Sequence, residues 1–511
     1  MLTRQRLVLN SFSGAMQMVV SMGLMLIAIP LFIHLKGSES YGLFSLVAVI
    51  GSLNSFTGLG LNSSLVRFLS AQGRCSESNY DIVVSSTILI AVLIPVTVAG
   101  VIFDGFVLQQ ILGVPPRLYD DARWLYIFFI ISNSLLVLGQ VPCAILDAGQ
   151  RIYLTNLLQA AYNVVYWAGI CTVLLLGVGL SGVGGAILLA TLLWLIASVL
   201  WARRGWGSLS CTGLASNARR IMRKHLSFGL QIQSASVISF FYEPVTKILL
   251  SRYIGLTEVG FFDVALKIRG QVWGLINRLL YPFFPLISGI QERDRVRFII
   301  NDLEQKLMYA VIPMGVLTFF LAHPFLSAWL GSNVELISTT LKWVLVAHLL
   351  GVTVVPNYQY LMAKGHGLSM ILMQLSNVVV NGLVFFITYS FLGYYAAVLA
   401  NVAAILTSFT YSLYLQKRYL ESLPLDSPVQ AIKMLGVLAV NVMTLYLLST
   451  LIGPTLWRLV AFPSAVLVAS VLAYRYLSVF TIADISRYAG DGTVAQKWGK
   501  KLLSRKSEGL G

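Results

Sequence analysis

The stretch Ser251–Val264, SRYIGLTEVGFFDV, repeats the skeleton of Ile33–Leu46, IHLKGSESYGLFSL. The two align without a gap at a constant offset of 218 (Ser251 against Ile33), matching Gly37 with Gly255, Gly42 with Gly260 and Phe44 with Phe262. Each begins at the end of one long apolar run and enters the next, so the repeated unit is a membrane helical hairpin. A repeated multi-helix unit is the mark of a transporter working from the interface between two lobes. The copies differ in charge. Where the first has Met25, Ile29, Ser45, Val49, Gly51 and Gly60, the second has Glu243, Lys247, Asp263, Lys267, Arg269 and Arg278.

Composition agrees. With 57% hydrophobic and 11% charged residues and a mean hydropathy of +0.80, no soluble fold suits a chain of 511 residues. A spanning helix takes about 20 apolar residues, and such runs fill the chain from 11–33 to 459–478. They predict an all-α polytopic membrane protein with fourteen spans, or twelve if 228–254 and 396–415 do not cross. The repeat continues beyond the opening hairpin. AILDAGQR before Ile152 resembles YLMAKGHG before Leu368, and GVGGAILLA from Gly182 resembles GYYAAVLAN from Gly393. Two pseudo-symmetric six-helix lobes follow, 1–205 and 227–416, joined by a basic linker at 206–226. A further helix pair lies within 417–478, and a basic tail occupies 479–511.

A net charge of +16 would suggest nucleic acid in a soluble protein. Here most of the 36 Lys and Arg residues fall on alternate loops, a positive-inside bias that puts both termini in the cytoplasm. In the tail, Val494, Trp498 and Leu502 recur every four residues among Lys497, Lys500, Lys501, Arg505 and Lys506. That pattern reads either as a basic helix on the anionic inner leaflet or as a disordered tail. The first apolar run is too long for a cleavable signal and lacks a small-residue cleavage site.

On the helix around residue 270, Asp263, Lys267, Gly270, Gln271, Gly274, Asn277 and Arg278 fall within about 120° of one another at helical periodicity. A charge at the bilayer centre costs roughly 2.5–3.5 kcal/mol, so such a face looks into protein or water. Arg269 points off this stripe. The preceding helix carries Ser236, Ser239, Glu243, Thr246 and Lys247, with Pro244 expected to bend it. The first helix offers Asn10, Gly14, Gln17 and Ser21. The second carries Asn54, Ser55, Thr57, Asn62, Ser63 and, near its cytoplasmic end, Arg67.

Two readings of these charges stay open. Glu243 with Lys247, and Asp263 with Lys267, are i,i+4 pairs able to neutralise each other as ordinary intrahelical contacts. Against that, Lys247, Lys267, Arg269 and Arg278 outnumber Glu243 and Asp263, and a surplus of cations in a membrane cavity selects an anionic ligand. Arg67 reads as a ligand or as an interfacial anchor. His323 and His348 are packed histidines or proton shuttles. No phosphate-binding loop appears, and Cys75, Cys143, Cys171 and Cys211 show no metal or disulfide spacing. Neither a metal nor an organic cofactor is expected, and the chain does not read as an enzyme.

Three stretches, RLVLNSFSG from Arg6, GSESYGLFSLVAVIGSLNSFTGLGLNSSLVRFLS from Gly37 and GLTEVGFFDVALKI from Gly255, resemble the multidrug/oligosaccharidyl-lipid/polysaccharide (MOP) exporter superfamily. The pattern is most similar to its polysaccharide transporter branch, the O-antigen repeat-unit flippases, over roughly residues 5–416. That resemblance implies a two-lobed flippase of the bacterial inner membrane. It would move an undecaprenyl-pyrophosphate-linked oligosaccharide between leaflets by alternating access. The family's cationic cavity corresponds here to Lys247, Lys267, Arg269 and Arg278. Arg278 and Lys267 would meet the pyrophosphate, Gln271 and Asn277 the sugars. Glu243 or Asp263 would couple movement to a proton or sodium gradient. A drug exporter or a lipid II flippase of the same superfamily is the alternative, and a membrane-embedded polysaccharide polymerase or ligase the more distant one. The sparse charge of the N-terminal lobe departs from a symmetric phosphate clamp.

Overall fold

A computed structural model describes residues 4–207, 214–240, 242–280, 292–331, 334–423, 428–453 and 457–477. Among them, helices and short connections make up the whole molecule, with no strand. The first helix, α1 (Arg4–Ser52), breaks at Gly37, whose φ of 80° and ψ of 162° lie where only glycine sits without steric cost. That break turns one continuous helix into the two arms of the first hairpin.

There follow α2 (Leu61–Gln72), α3 (Ser76–Ile102), α4 (Tyr119–Ala148), α5 (Ile152–Leu175) and α6 (Leu180–Trp206). The basic connection contributes the first turns of α7 (Leu214–Phe240), followed by α8 (Tyr242–Tyr253) and α9 (Leu256–Leu280). Pro244 falls in the first turn of α8, where its missing N–H leaves no intrahelical bond unmade. Beyond lie α10 (Arg293–Leu330), α11 (Glu335–Val352), α12 (Val355–Ala363), α13 (Gly367–Leu392), α14 (Tyr395–Leu420), α15 (Pro428–Leu451) and α16 (Arg458–Tyr476). The basic tail expected at 479–511 lies outside the described residues.

Eleven helices among the described residues are long and apolar enough to cross a membrane, α14 included, with α1 counted as one. Dividing α1 at Gly37 gives twelve. Adding α7 with α8, and α9, which fall short of that criterion by length or by polarity, gives fourteen. The outer surface is apolar, with Ile27 69% and Leu451 80% exposed, as a surface facing lipid requires.

The chain divides into two compact units, Met1–Lys267 with Gln374–Ala404, and Ile268–Met373 with Ile405–Gly511. In the first, Leu61, Leu65, Leu69, Ile82, Leu89, Val141 and Ala144 bury the contact of α2, α3 and α4. The same unit brings the repeated motifs together. A Cβ on Gly42 would lie 1.7 Å from the Leu256 carbonyl oxygen, and a Cβ on Gly260 would lie 2.8 Å from the Ser38 carbonyl oxygen. At the repeat offset Ser38 is the counterpart of Leu256, as Gly42 is of Gly260. The copies therefore touch through equivalent atoms, the self-complementary contact that a two-fold axis generates between subunits, here within one chain. In the second unit, α10 packs on α15 and α16 through Val316, Leu445, Phe462 and Val466. Glu304, fully buried, accepts from the Gln416 amide at 2.6 Å.

Candidate functional site

The close approach of Gly42 and Gly260 sets their neighbours side by side. Tyr41 and Ser45 come from the first copy, Asp263 and Lys267 from the second. Asp263, 3% exposed, is the hub. Its Oδ2 accepts from the Tyr41 hydroxyl at 2.7 Å and from Lys267 Nζ at 2.8 Å, while its Oδ1 accepts from Lys247 Nζ. Lys267 also donates to the Tyr41 oxygen at 2.8 Å and lies 5.0 Å from that ring's centroid and 5.7 Å from that of Phe44. Lys247 donates to Ser45 Oγ at 3.2 Å. It thus bridges Asp263 and the residue that occupies the same place in the other copy.

Two ammonium groups share one carboxylate, so the trio carries a net charge of +1. Charges taken out of water survive only when paired and hydrogen-bonded, and Asp263 with Tyr41 and Ser45 supplies that. The surplus is accessible at Lys267, whose side chain is 28% exposed, against 4% for Lys247. Two hydrogen bonds hold the rest of α8 in the same unit. The Thr246 hydroxyl donates to Asn381 Oδ1 at 2.7 Å, and the Tyr242 hydroxyl donates to the Asn401 carbonyl at 2.8 Å.

The other residues singled out from the sequence stand elsewhere. Glu243 lies partly buried in the first turn of α8. Arg269 belongs to the second unit, where its Nη1 lies 2.6 Å from His348 Nε2. His348 Nδ1 is 2.9 Å from the Val344 carbonyl. Because a guanidinium can only donate, the imidazole proton sits on Nδ1, and Nε2 receives Arg269. Gln271, also in that unit, is partly buried. The side chains of Asn277 and Arg278 lie outside the described residues. Arg67 is held in the packing of α2 on α7, its guanidinium 4.3 Å from the Phe228 centroid.

A second polar cluster ties α2, α3 and α7. Lys224 Nζ donates to Asp81 Oδ2 at 2.9 Å, His225 Nε2 lies 3.1 Å from Asp81 Oδ1, and His225 Nδ1 meets Ser64 Oγ at 2.8 Å. The order hydroxyl, imidazole, carboxylate has the form of a catalytic triad, yet Ser64, His225 and Asp81 are each 0% exposed. No substrate reaches the hydroxyl, so the cluster is a helix tie. Separations of 161 residues and 143 residues hid it in the sequence. The one local signal was a lone carboxylate, Asp81, at the mouth of an apolar run.

Residues 7–291 match the family described as polysaccharide biosynthesis protein. No curated protein sequence matches the chain. Among solved structures, the fold is similar to the lipid II flippase MurJ in an inward closed conformation, at 16% identity and a TM-score of 0.71, over 92% of this chain and all of that one. It is similar also to an inward-facing multidrug resistance MATE transporter of the MOP superfamily, at 16% identity and a TM-score of 0.63, over 80% of this chain and 99% of that one. A Pyrococcus furiosus MOP superfamily transporter, described as having a binding pocket of reversed polarity, aligns at 15% identity and a TM-score of 0.52, over 83% of this chain and all of that one. Matched over more than half its length, the chain belongs to the polysaccharide biosynthesis protein family, and it has the fold of the MOP exporters.

Proposed function

We propose that this protein is a flippase of the bacterial inner membrane, with both termini in the cytoplasm. It moves an undecaprenyl-pyrophosphate-linked oligosaccharide from the inner to the outer leaflet by alternating access. The observation that carries this reading is the net positive charge of the Lys247–Asp263–Lys267 trio with its accessible Lys267. A pyrophosphate is the part of such a lipid that needs a cation. Lys267 meets it, and Arg67, in the same unit, contributes positive potential. An exporter of cationic drugs needs the opposite sign, which ranks it lower. Lipid II shares the pyrophosphate-linked carrier and stays as the second reading on the same observation.

Asp263, with Glu243, is the candidate for coupling to a proton or sodium gradient. The test is a leaflet assay on purified protein in liposomes, with undecaprenyl-pyrophosphate-linked oligosaccharide and, in parallel, lipid II. Lys267→Ala should abolish movement and Lys267→Arg retain part of it, since charge remains while reach and geometry change. No movement of either lipid under any ion gradient, or wild-type rates for Lys267→Ala, would refute the reading.

A further inference from the structure

We propose that the first unit holds a sugar-binding subsite beside the cationic trio. It is a neutral pocket of aromatic rings and amides that receives a sugar ring attached to the pyrophosphate. This inference rests on the flippase reading and assigns its glycan specificity to residues that no charge pattern singles out.

A cavity of about 210 Å³ opens among α1, α4, α5 and α6, lined on α5 by Tyr162, Asn163, Tyr166 and Trp167 and on α4 by Phe129, Ser132 and Asn133. Complete ligand pockets run to roughly 300–1,000 Å³, so this volume suits one ring of an oligosaccharide rather than the whole chain. The aromatic rings stand at different angles. Tyr162 and Tyr166 are 5.7 Å apart and tilted by 44°, and Tyr166 meets Trp167 at 5.1 Å and 88°. A sugar ring presents flat C–H faces that pack on such surfaces and a rim of hydroxyls that both donate and accept.

The polar groups match that rim. Amides and hydroxyls can answer a sugar hydroxyl in either sense. Asn133 donates its own N–H to the Phe129 carbonyl at 2.9 Å, which leaves its carbonyl oxygen to accept. Ser132 is 1% exposed, and its hydroxyl has no hydrogen-bond partner among the described atoms. Buried polar groups are nearly always paired, so an orphaned hydroxyl on a cavity wall points to a ligand that pairs it. Asn163 is oriented by a hydrogen bond to Ser21 on α1. None of the lining side chains is charged, so neither a phosphate nor a drug cation finds a counter-charge here.

The pocket also lies close to the cationic trio. The Phe129 ring is 5.7 Å from that of Phe44, and Phe44 lies 5.7 Å from Lys267 Nζ. Two ring contacts therefore separate the sugar pocket from the accessible ammonium group. Ala48 on the pocket wall is one helical turn beyond Ser45, which accepts from Lys247.

The experiment measures equilibrium affinity of the full-length protein in nanodiscs by microscale thermophoresis. The probes are bare undecaprenyl pyrophosphate and the same lipid carrying glucose, galactose or N-acetylglucosamine. The quantity read is the ratio of glycosylated to bare affinity, which does not depend on the fraction of protein folded. Wild-type protein should prefer at least one glycosylated lipid, and Trp167→Leu and Asn133→Ala should each lower that preference roughly three- to tenfold, the loss of one aromatic or hydrogen-bonding contact. Equal binding of all four lipids by the wild type, or an unchanged ratio in both variants, overturns the sugar subsite while leaving pyrophosphate recognition standing. Failure to bind any of the four overturns the flippase reading and the subsite with it.

Discussion

Gly42→Ala should uncouple the two copies of the repeated hairpin. The new Cβ would sit 1.7 Å from the Leu256 carbonyl oxygen, 2.7 Å from its carbon and 3.0 Å from the Gly260 nitrogen. All three are backbone atoms, so no side chain can swing aside. Reaching even 3.0 Å, below which Cβ contacts essentially never occur, takes a movement of about 1.3 Å away from 1.7 Å. If α9 retreats from α1 by that amount, the Tyr41–Asp263 hydrogen bond lengthens from 2.7 Å to about 4 Å, beyond any hydrogen bond. Overpacking of this kind costs about 1–3 kcal/mol, and a misplacement of roughly 1 Å at a working site lowers its rate about 100-fold. The assays are thermal unfolding in detergent and the leaflet assay, with Gly23→Ala as control. A Cβ at Gly23 meets nothing within 4 Å, and alanine in a helix should add about 0.5–1 kcal/mol. Wild-type melting and wild-type transport by Gly42→Ala would refute the claim that the repeats meet there through their backbones.

Asp263→Asn should destabilise the fold by about 3–5 kcal/mol, because Lys247 is left buried without a counter-ion, and adding Lys247→Met should recover most of the loss in thermal unfolding. A single variant that melts like wild type would show that the trio is not an ion cluster. Combining Arg269→Met with His348→Leu in a double-mutant cycle should reveal a coupling of about 0.5–3 kcal/mol, and zero coupling would dismiss the contact. Asp81→Asn should cost about 1–3 kcal/mol and speed hydrogen exchange in the middle of α7, where Lys224 and His225 are anchored; unchanged protection there would refute the tie.

The glycine spacing of the repeat was enough to identify α8 and α9 as a second version of the first hairpin, because close backbone approach tolerates no other residue. The pairing of Asp263 with Lys267 was legible too, since i,i+4 neighbours on a helix meet wherever the helix goes. The partner of Lys247 was not. Glu243 was its local candidate, but Asp263 meets it from a different helix, and which side chains meet across helices depends on crossing geometry rather than spacing. Tyr41 and Ser45 were overlooked for a related reason. Neutral residues carry no cost in an apolar run and so raise no flag, although Ser45 aligns with Asp263 and could have been read as its facing position. The aromatic pocket on α5 was equally silent, its tyrosines and tryptophan indistinguishable by composition from membrane packing.

The mirrored contact of Gly42 with Gly260 bears on how the chain is made. Ser45 is synthesised 218 residues ahead of Asp263 (263 against 45), which at roughly 5–20 residues per second is a wait of about 10–40 s. Throughout that interval the first hairpin sits in the bilayer without its partner. It can do so because what waits is a serine, a tyrosine and a glycine, none of them charged. Lys247 and Asp263 are separated by only 16 residues, so ion and counter-ion emerge within about one to three seconds of each other and meet a template already in place. The lopsided distribution of charge between the two hairpins is thus also an order of assembly, in which the side of their contact made first carries no charge.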